Sequence, residues 1–154
     1  MSGIDLETLR ARFGHLEGVR LLTALLAGGP LAGRTALVSS FGAESVVLLH
    51  MVATIEPRTP VIFLDTRAHF AATLAYRDAL VARLGLQDVR SAQPDAALLA
   101  RDDPAARLHA SRPDDCCHIR KTMPLELALD GFDAWITGRK RFQGGLRAEL
   151  EPIE

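Results

Sequence analysis

Three clusters and one carboxylate in this sequence have residue types and spacing suited to chemistry. The first is Ser39-Ser40-Phe41-Gly42-Ala43-Glu44-Ser45. Gly42 can take positive φ and let the backbone approach a ligand. A helix starting here would present free N–H groups to an anion, and Ser39, Ser40 and Ser45 add hydroxyl donors. Phosphate or sulfate binding follows; equally, Ser40 or Ser45 could only cap the helix. The spacing is neither a Walker A loop nor a GxGxxG. The second cluster is Cys116-Cys117, the only cysteines, followed by His118, Arg120 and Lys121. Cationic neighbours favour thiolates, which ligate metals or do redox work. Two thiolates do not close a structural zinc or iron–sulfur site, which takes four ligands, and three consecutive ligands including His118 are sterically awkward. Two bystander thiols are the other reading. The third cluster, Arg139-Lys140-Arg141 with Arg147, puts four cations within nine residues with no acid among them. Arginine forks suit oxyanions, although a basic run can also be a solvated surface. Asp65 could hold a ribose hydroxyl or a metal, or cap a helix. His15, His50, His69 and His109 show no partner spacing and read as ordinary core or surface histidines.

These residues need elements to position them. Leu6, Leu9, Phe13, Leu16, Val19, Leu22 and Leu26 step by three or four, a helix period. Gly14 and Gly18 argue against one unbroken helix, and Gly28-Gly29-Pro30 stops it. Apolar runs at 35–39, 60–64, 88–92 and 133–138 predict four strands. Helices are expected at 44–54, 68–84 and 116–129, with a short helix and loop over 93–115. The last sixteen residues, 139–154, predict no element. Nearly all-apolar strands alternating with helices indicate an α/β fold, a doubly wound parallel sheet. Ligands in such sheets sit outside the carboxyl ends of the strands. The predicted strand ends carry Ser39 to Gly42, Asp65-Thr66-Arg67 and Thr137-Gly138-Arg139, so one rim gathers the polar candidates.

With 154 residues, the chain has the size of one domain, 1–154. It is 48% hydrophobic and 24% charged, a globular composition that excludes collagen, coiled coil and disulfide scaffold. Its 18 basic and 19 acidic residues give a net charge of -1, which leaves no global basic field for nucleic acid. No apolar run reaches membrane-spanning length. Met1 to Arg12 is polar and acidic rather than a secretory leader. A cytoplasmic location without nucleic-acid or membrane partners is expected.

In order and spacing, the chain from about Leu37 onward resembles the adenylyl-sulfate and phosphoadenylyl-sulfate reductases of assimilatory sulfate reduction. The resemblance rests on Ser39 to Ser45; Phe63-Leu64-Asp65-Thr66 with Phe70 and Thr73; Cys116-Cys117-His118-Ile119-Arg120-Lys121 leading into Pro124-Leu125; and Trp135 to Gln143 with Arg147-Ala148. It implies an adenine nucleotide α-hydrolase-like fold with a modified PP-loop. It further implies that Ser39, Ser40, Phe41, Gly42, Ser45, Asp65 and Thr66 hold the nucleotide. Lys140, Arg141 and Arg147 would surround phosphate and sulfate, and Lys121 would stand between cluster and substrate. Cys116 and Cys117 would supply half the ligands of a [4Fe-4S] cluster, a feature of the adenylyl-sulfate branch. The implied activity converts adenylyl sulfate to sulfite and AMP. A cysteine thiolate attacks the substrate sulfur, AMP leaves, and thioredoxin or glutathione releases sulfite from the S-sulfonate.

The resemblance also implies a second cysteine pair and a C-terminal nucleophilic cysteine past the equivalent of Glu154. This chain contains neither, so it is expected to be the N-terminal part of such a reductase, with two cluster ligands of four. Family members commonly carry Gly at the position of Arg67, Glu at Ala72 and Ser at Gly144. A catalytically inactive adenine-nucleotide-binding module is one alternative. An ATP-pyrophosphatase-type adenylating enzyme is another, disfavoured by a loop ending in Glu44-Ser45. A homo-oligomer is left open.

Overall fold

The helix period at the N-terminus resolves into two helices. α1 (Leu6–Phe13) starts at Asp5, whose carboxylate accepts from the N–H groups of Thr8 at 2.9 Å and Glu7 at 3.4 Å. Gly14 and Gly18 bracket the break before α2 (Gly18–Leu26). Leu9 of α1 and Leu21 and Leu25 of α2 bury against Leu31, and Ile153 packs on this cluster. The computed structural model describes residues 5–154. Residues 1–4 of the polar N-terminal stretch lie outside the described ones.

Four parallel strands follow: β1 (Thr35–Val38), β2 (Val61–Leu64), β3 (Val89–Ala92) and β4 (Ala134–Thr137), in the order β3-β2-β1-β4. Leu37 pairs with Val61 and with Ile136, and Leu64 with Ala92. Chain order runs outward from β1 through β2 to β3, then returns across β1 to β4. That reversal makes the carboxyl ends of β1 and β4 the switch point where ligands lodge in open α/β sheets. α3 (Ser45–Ile55) and α4 (Ala71–Leu84) make the two outward crossovers, α3 packing against both α2 and α4, while α8 (Met123–Leu129) contacts β2 and β3 on the return. Right-handed crossovers of opposite direction place these helices on opposite faces. The expected doubly wound sheet is present.

The core lies between sheet and helices. Leu37, Leu49, Val52, Val61 and Phe63 are fully buried, and Phe41 is nearly so. Ile62, also fully buried, shows why β2 reads as a continuous apolar run. β4 stands at an end of the sheet and is only partly covered, with Trp135 exposed. α4 starts at Ala71, later than its sequence pattern, and ends where Gly85 takes φ 69°.

Two regions depart from expectation. The polar stretch 93–115 holds two short helices, α5 (Ala96–Asp102) and α6 (Leu108–Ser111), and the start of a third. That third helix is α7 (Pro113–Cys117), begun three residues before Cys116 because proline fits a first turn. It continues through a π-helical turn, His118–Thr122, into α8. The C-terminal sixteen residues contain two short 3₁₀ turns, Arg141–Gln143 and Gly145–Arg147.

Candidate functional site

The serine loop turns on hydrogen bonds to its own backbone. Ser39 leaves β1 with its N–H donating to the Ile62 carbonyl, and its Oγ accepts the Phe41 N–H at 3.1 Å. Ser40 Oγ accepts the Gly42 N–H at 3.3 Å and lies 3.3 Å from Ser45 Oγ. Ser39 is buried, whereas Ser40 and Gly42 are exposed. Gly42 is free to take positive φ, yet in this loop the positive φ falls at Phe41, with φ 54°. The Phe41 ring explains the exchange: it is buried and meets Phe63 edge-on, centroids 5.7 Å apart. Burial of a large ring holds a residue in a backbone region it otherwise avoids.

Neither Ser40 nor Ser45 caps α3. The residue before the helix, Glu44, already has helical angles, and no side chain accepts from the first turn. The capping alternative therefore drops; the Ser45 N–H donates to the Gly42 carbonyl at 2.9 Å, and among the described residues no side chain caps the head of α3. Beside them comes the segment after β4. Gly138 approaches Leu48 of α3, and Lys140 Nζ donates to Glu44 Oε2 at 2.7 Å. The acid missing from the basic run is thus supplied in space by the serine loop. Arg139 pairs with Glu154 at 2.7 Å. Arg147 Nη1 donates to Gln143 Oε1 at 2.6 Å, and the same oxygen accepts the Lys140 N–H at 3.2 Å. Gln143 therefore ties Arg147 to Lys140. The side chain of Arg141 lies outside the described residues.

Asp65 is buried at the end of β2. Its Oδ1 accepts the Arg67 N–H at 3.0 Å, closing a tight turn, and its Oδ2 accepts from Gln93 Nε2 at 2.8 Å. It does not cap α4, which starts after Phe70 without a side-chain cap. The turn leaves Arg67 at φ 61°, a position glycine would occupy without strain. Likewise Gly144 has φ 71°, which suits glycine there better than serine. Nearby, His69 Nε2 lies 2.9 Å from the Leu64 carbonyl oxygen, and its ring lies 5.0 Å from Phe63.

The cysteine-bearing helix joins this rim through one side chain. Arg120 was expected to stand with Lys121 beside the thiols. Instead it is buried: Nη1 donates to the Thr66 carbonyl at 2.7 Å and Nη2 to Asp103 Oδ2 at 2.6 Å. Asp103 also accepts from the N–H groups of Arg107 at 2.7 Å and Leu108 at 2.9 Å. The Arg120 bond and these N–H donors hold its carboxyl below the usual carboxylate range. Cys117, His118 and Lys121 are exposed, and Cys116 is half-buried. Among the described residues, no three or more His, Cys, Asp or Glu side chains are placed to hold a metal. Two adjacent thiols alone do not fit a four-iron cluster, which takes four ligands.

The structure thus gathers the serine loop, Asp65-Thr66, Lys140 and the cysteine helix around the strand ends. The sequence reading missed Glu44 as the Lys140 partner, Gln93, Gln143 and Asp103. Ion-pair partners 17 to 96 positions apart leave no spacing signal. No described helix is long and apolar enough to cross a membrane.

Comparisons with known proteins agree with this layout. The phosphoadenosine phosphosulfate reductase domain matches residues 34–154. An adenosine 5'-phosphosulfate reductase of Mesorhizobium japonicum is 49% identical over 146 residues, covering 95% of this chain and 57% of that protein. One from Chelativorans sp. is 43% identical, covering 98% and 62%. The chain therefore spans less than two thirds of the length of these relatives. The crystal structure of phosphoadenylyl-sulfate reductase from Candida auris, a phosphate complex, superposes with a TM-score of 0.72 at 20% identity, over 99% of this chain and 75% of that one. At that identity it establishes the shared fold.

Proposed function

Because the chain belongs to the phosphoadenosine phosphosulfate reductase family, we propose that it is the adenine-nucleotide-binding domain of an adenylyl-sulfate reductase, spanning 1–154. The observation that carries this is the rim at the β1/β4 switch point. There the exposed Ser40 and Gly42, the uncapped head of α3 and Lys140 meet within one ion pair of each other. Backbone N–H groups at a helix start and a nearby ammonium suit a phosphate or sulfate.

The assigned roles follow position. Ser40, Ser45, Phe41 and Gly42 shape the loop that receives the nucleotide, and Ser39 holds the loop to β1. Asp65 and Thr66 form the adjoining wall, the first by bracing it from within. By the family resemblance, Lys140, Arg141 and Arg147 would neutralise phosphate and sulfate charge. Lys121 is exposed next to the buried Arg120 and is available to a sulfonyl oxygen. Cys116 and Cys117 favour adenylyl sulfate over its 3′-phosphorylated form, by the family resemblance, and would be two of the four thiolates of a [4Fe-4S] cluster. The residues of this chain do not complete that group, so no step is routed through it. The reductant would be thioredoxin or glutathione, and the setting cytoplasmic sulfate assimilation.

Calorimetry with AMP and adenylyl sulfate tests the reading. Binding is expected at low salt and should weaken as salt screens the phosphate contacts. Ser40→Ala should weaken it further by removing a hydroxyl from the loop. A folded sample that takes up neither nucleotide at low salt would refute the assignment.

A further inference from the structure

We propose that Arg120 is a positioning residue that couples the nucleotide rim to the cysteine-bearing helix; this deepens the nucleotide-binding reading and rests on it. The sequence suggested a cation beside the thiols. The structure turns its guanidinium inward, where it spans two elements. One arm reaches the carbonyl of Thr66, two residues past the end of β2. The other reaches Asp103, which itself fixes the Arg107 and Leu108 N–H groups at the start of α6. The Arg120 side chain is 10% exposed and that of Asp103 3%. A planar fork held at both ends by buried acceptors permits one orientation of the helix that bears it.

The local helix geometry has a related consequence. Arg120 lies in the π-helical turn His118–Thr122, closed where the Met123 N–H donates to the His118 carbonyl. One extra residue in a turn rotates everything that follows by about 100° relative to an uninterrupted α-helix. The bridge to Thr66 and Asp103 holds Arg120 inside this widened turn, with Cys117 before it and Lys121 after it both exposed. A shift of the 65–67 turn on nucleotide binding would therefore reach the cysteines through Arg120. The Asp65 bond to the Arg67 N–H keeps that turn a single unit.

Thiol reactivity reads this coupling without any turnover. The rates of iodoacetamide alkylation at Cys116 and Cys117 are measured by mass spectrometry, with and without saturating AMP. In the unmutated chain AMP should change at least one rate by about fivefold or more, the lower end of ordinary coupling between sites. In Arg120→Lys, which keeps the charge but cannot bridge both acceptors, the AMP effect should largely vanish while AMP still binds. A role confined to stability would shift both rates equally with and without AMP, leaving their ratio unchanged. Asp103→Asn frees one arm and keeps an oxygen for the two N–H groups, so it should lower the AMP effect part way, and it serves if Arg120→Lys does not fold. Calorimetry on the same samples separates the failures. No AMP heat removes the nucleotide reading and the coupling with it. AMP heat with unchanged alkylation removes the coupling alone, and an undiminished AMP effect in both folded variants overturns the role of Arg120.

Discussion

Phe41 carries two opposed free-energy terms that a pair of substitutions can separate. Its ring is 1% exposed and packs edge-on against Phe63, while its φ is 54°. Truncation to alanine removes a buried aromatic, a loss of about 3–5 kcal/mol. It leaves a Cβ in the left-handed region, where an L-residue is disfavoured by about 1–2 kcal/mol. Glycine loses the same ring but sheds that strain, at about 0.5–1 kcal/mol of extra chain entropy. Phe41→Gly should therefore match Phe41→Ala or exceed it by up to about 1.5 kcal/mol. At an ordinary φ the order is the reverse. Urea unfolding followed by the fluorescence of Trp135, the only tryptophan, and by far-ultraviolet circular dichroism gives both values. Both variants should bind AMP more weakly, because the Ser39–Phe41 hydrogen bond that shapes the loop depends on this backbone. Glycine falling below alanine by about 0.5 kcal/mol or more, with both transitions cooperative, would refute the strained-loop argument. A loss under about 1 kcal/mol for alanine would refute the packing argument.

Arg67→Gly should raise stability by up to about 1 kcal/mol in the same urea assay, since φ 61° strains an arginine more than the added chain entropy costs; a lower midpoint would count against it. Glu44→Gln should tighten AMP binding by up to about fivefold in calorimetry, because Lys140 loses its exposed ion-pair partner and the rim loses an acid; weaker binding would show that the pair organises the site instead. The Asp103 carboxyl is held below its ordinary value of 3.8 first by Arg120 and then by the Leu108 N–H. Its contribution is thus complete above that value and lost as pH falls through the lower folded one. The stability gap between the unmutated chain and Asp103→Asn should be widest near neutrality and close under acid; a gap independent of pH would contradict this.

The sequence alone determined the architecture and which residues stand at the strand ends, because both rest on local pattern. Four apolar runs separated by helix periods admit a parallel doubly wound sheet, and strand-end residues fall on its ligand side whatever the details. Motif order from Ser39 to Arg147 likewise points to the family without any tertiary contact. What the tertiary structure decided is how the charges and strains are distributed. Positive φ sits at Phe41 rather than Gly42 because burial of its ring outweighs local preference. Lys140 meets Glu44, ninety-six positions away, because β4 returns to lie beside β1. Arg120 leaves its neighbours in sequence for Asp103 and Thr66 because a buried guanidinium takes acceptors wherever packing brings them. Pairings of this kind depend on chain segments meeting in space, and no spacing along the chain encodes them.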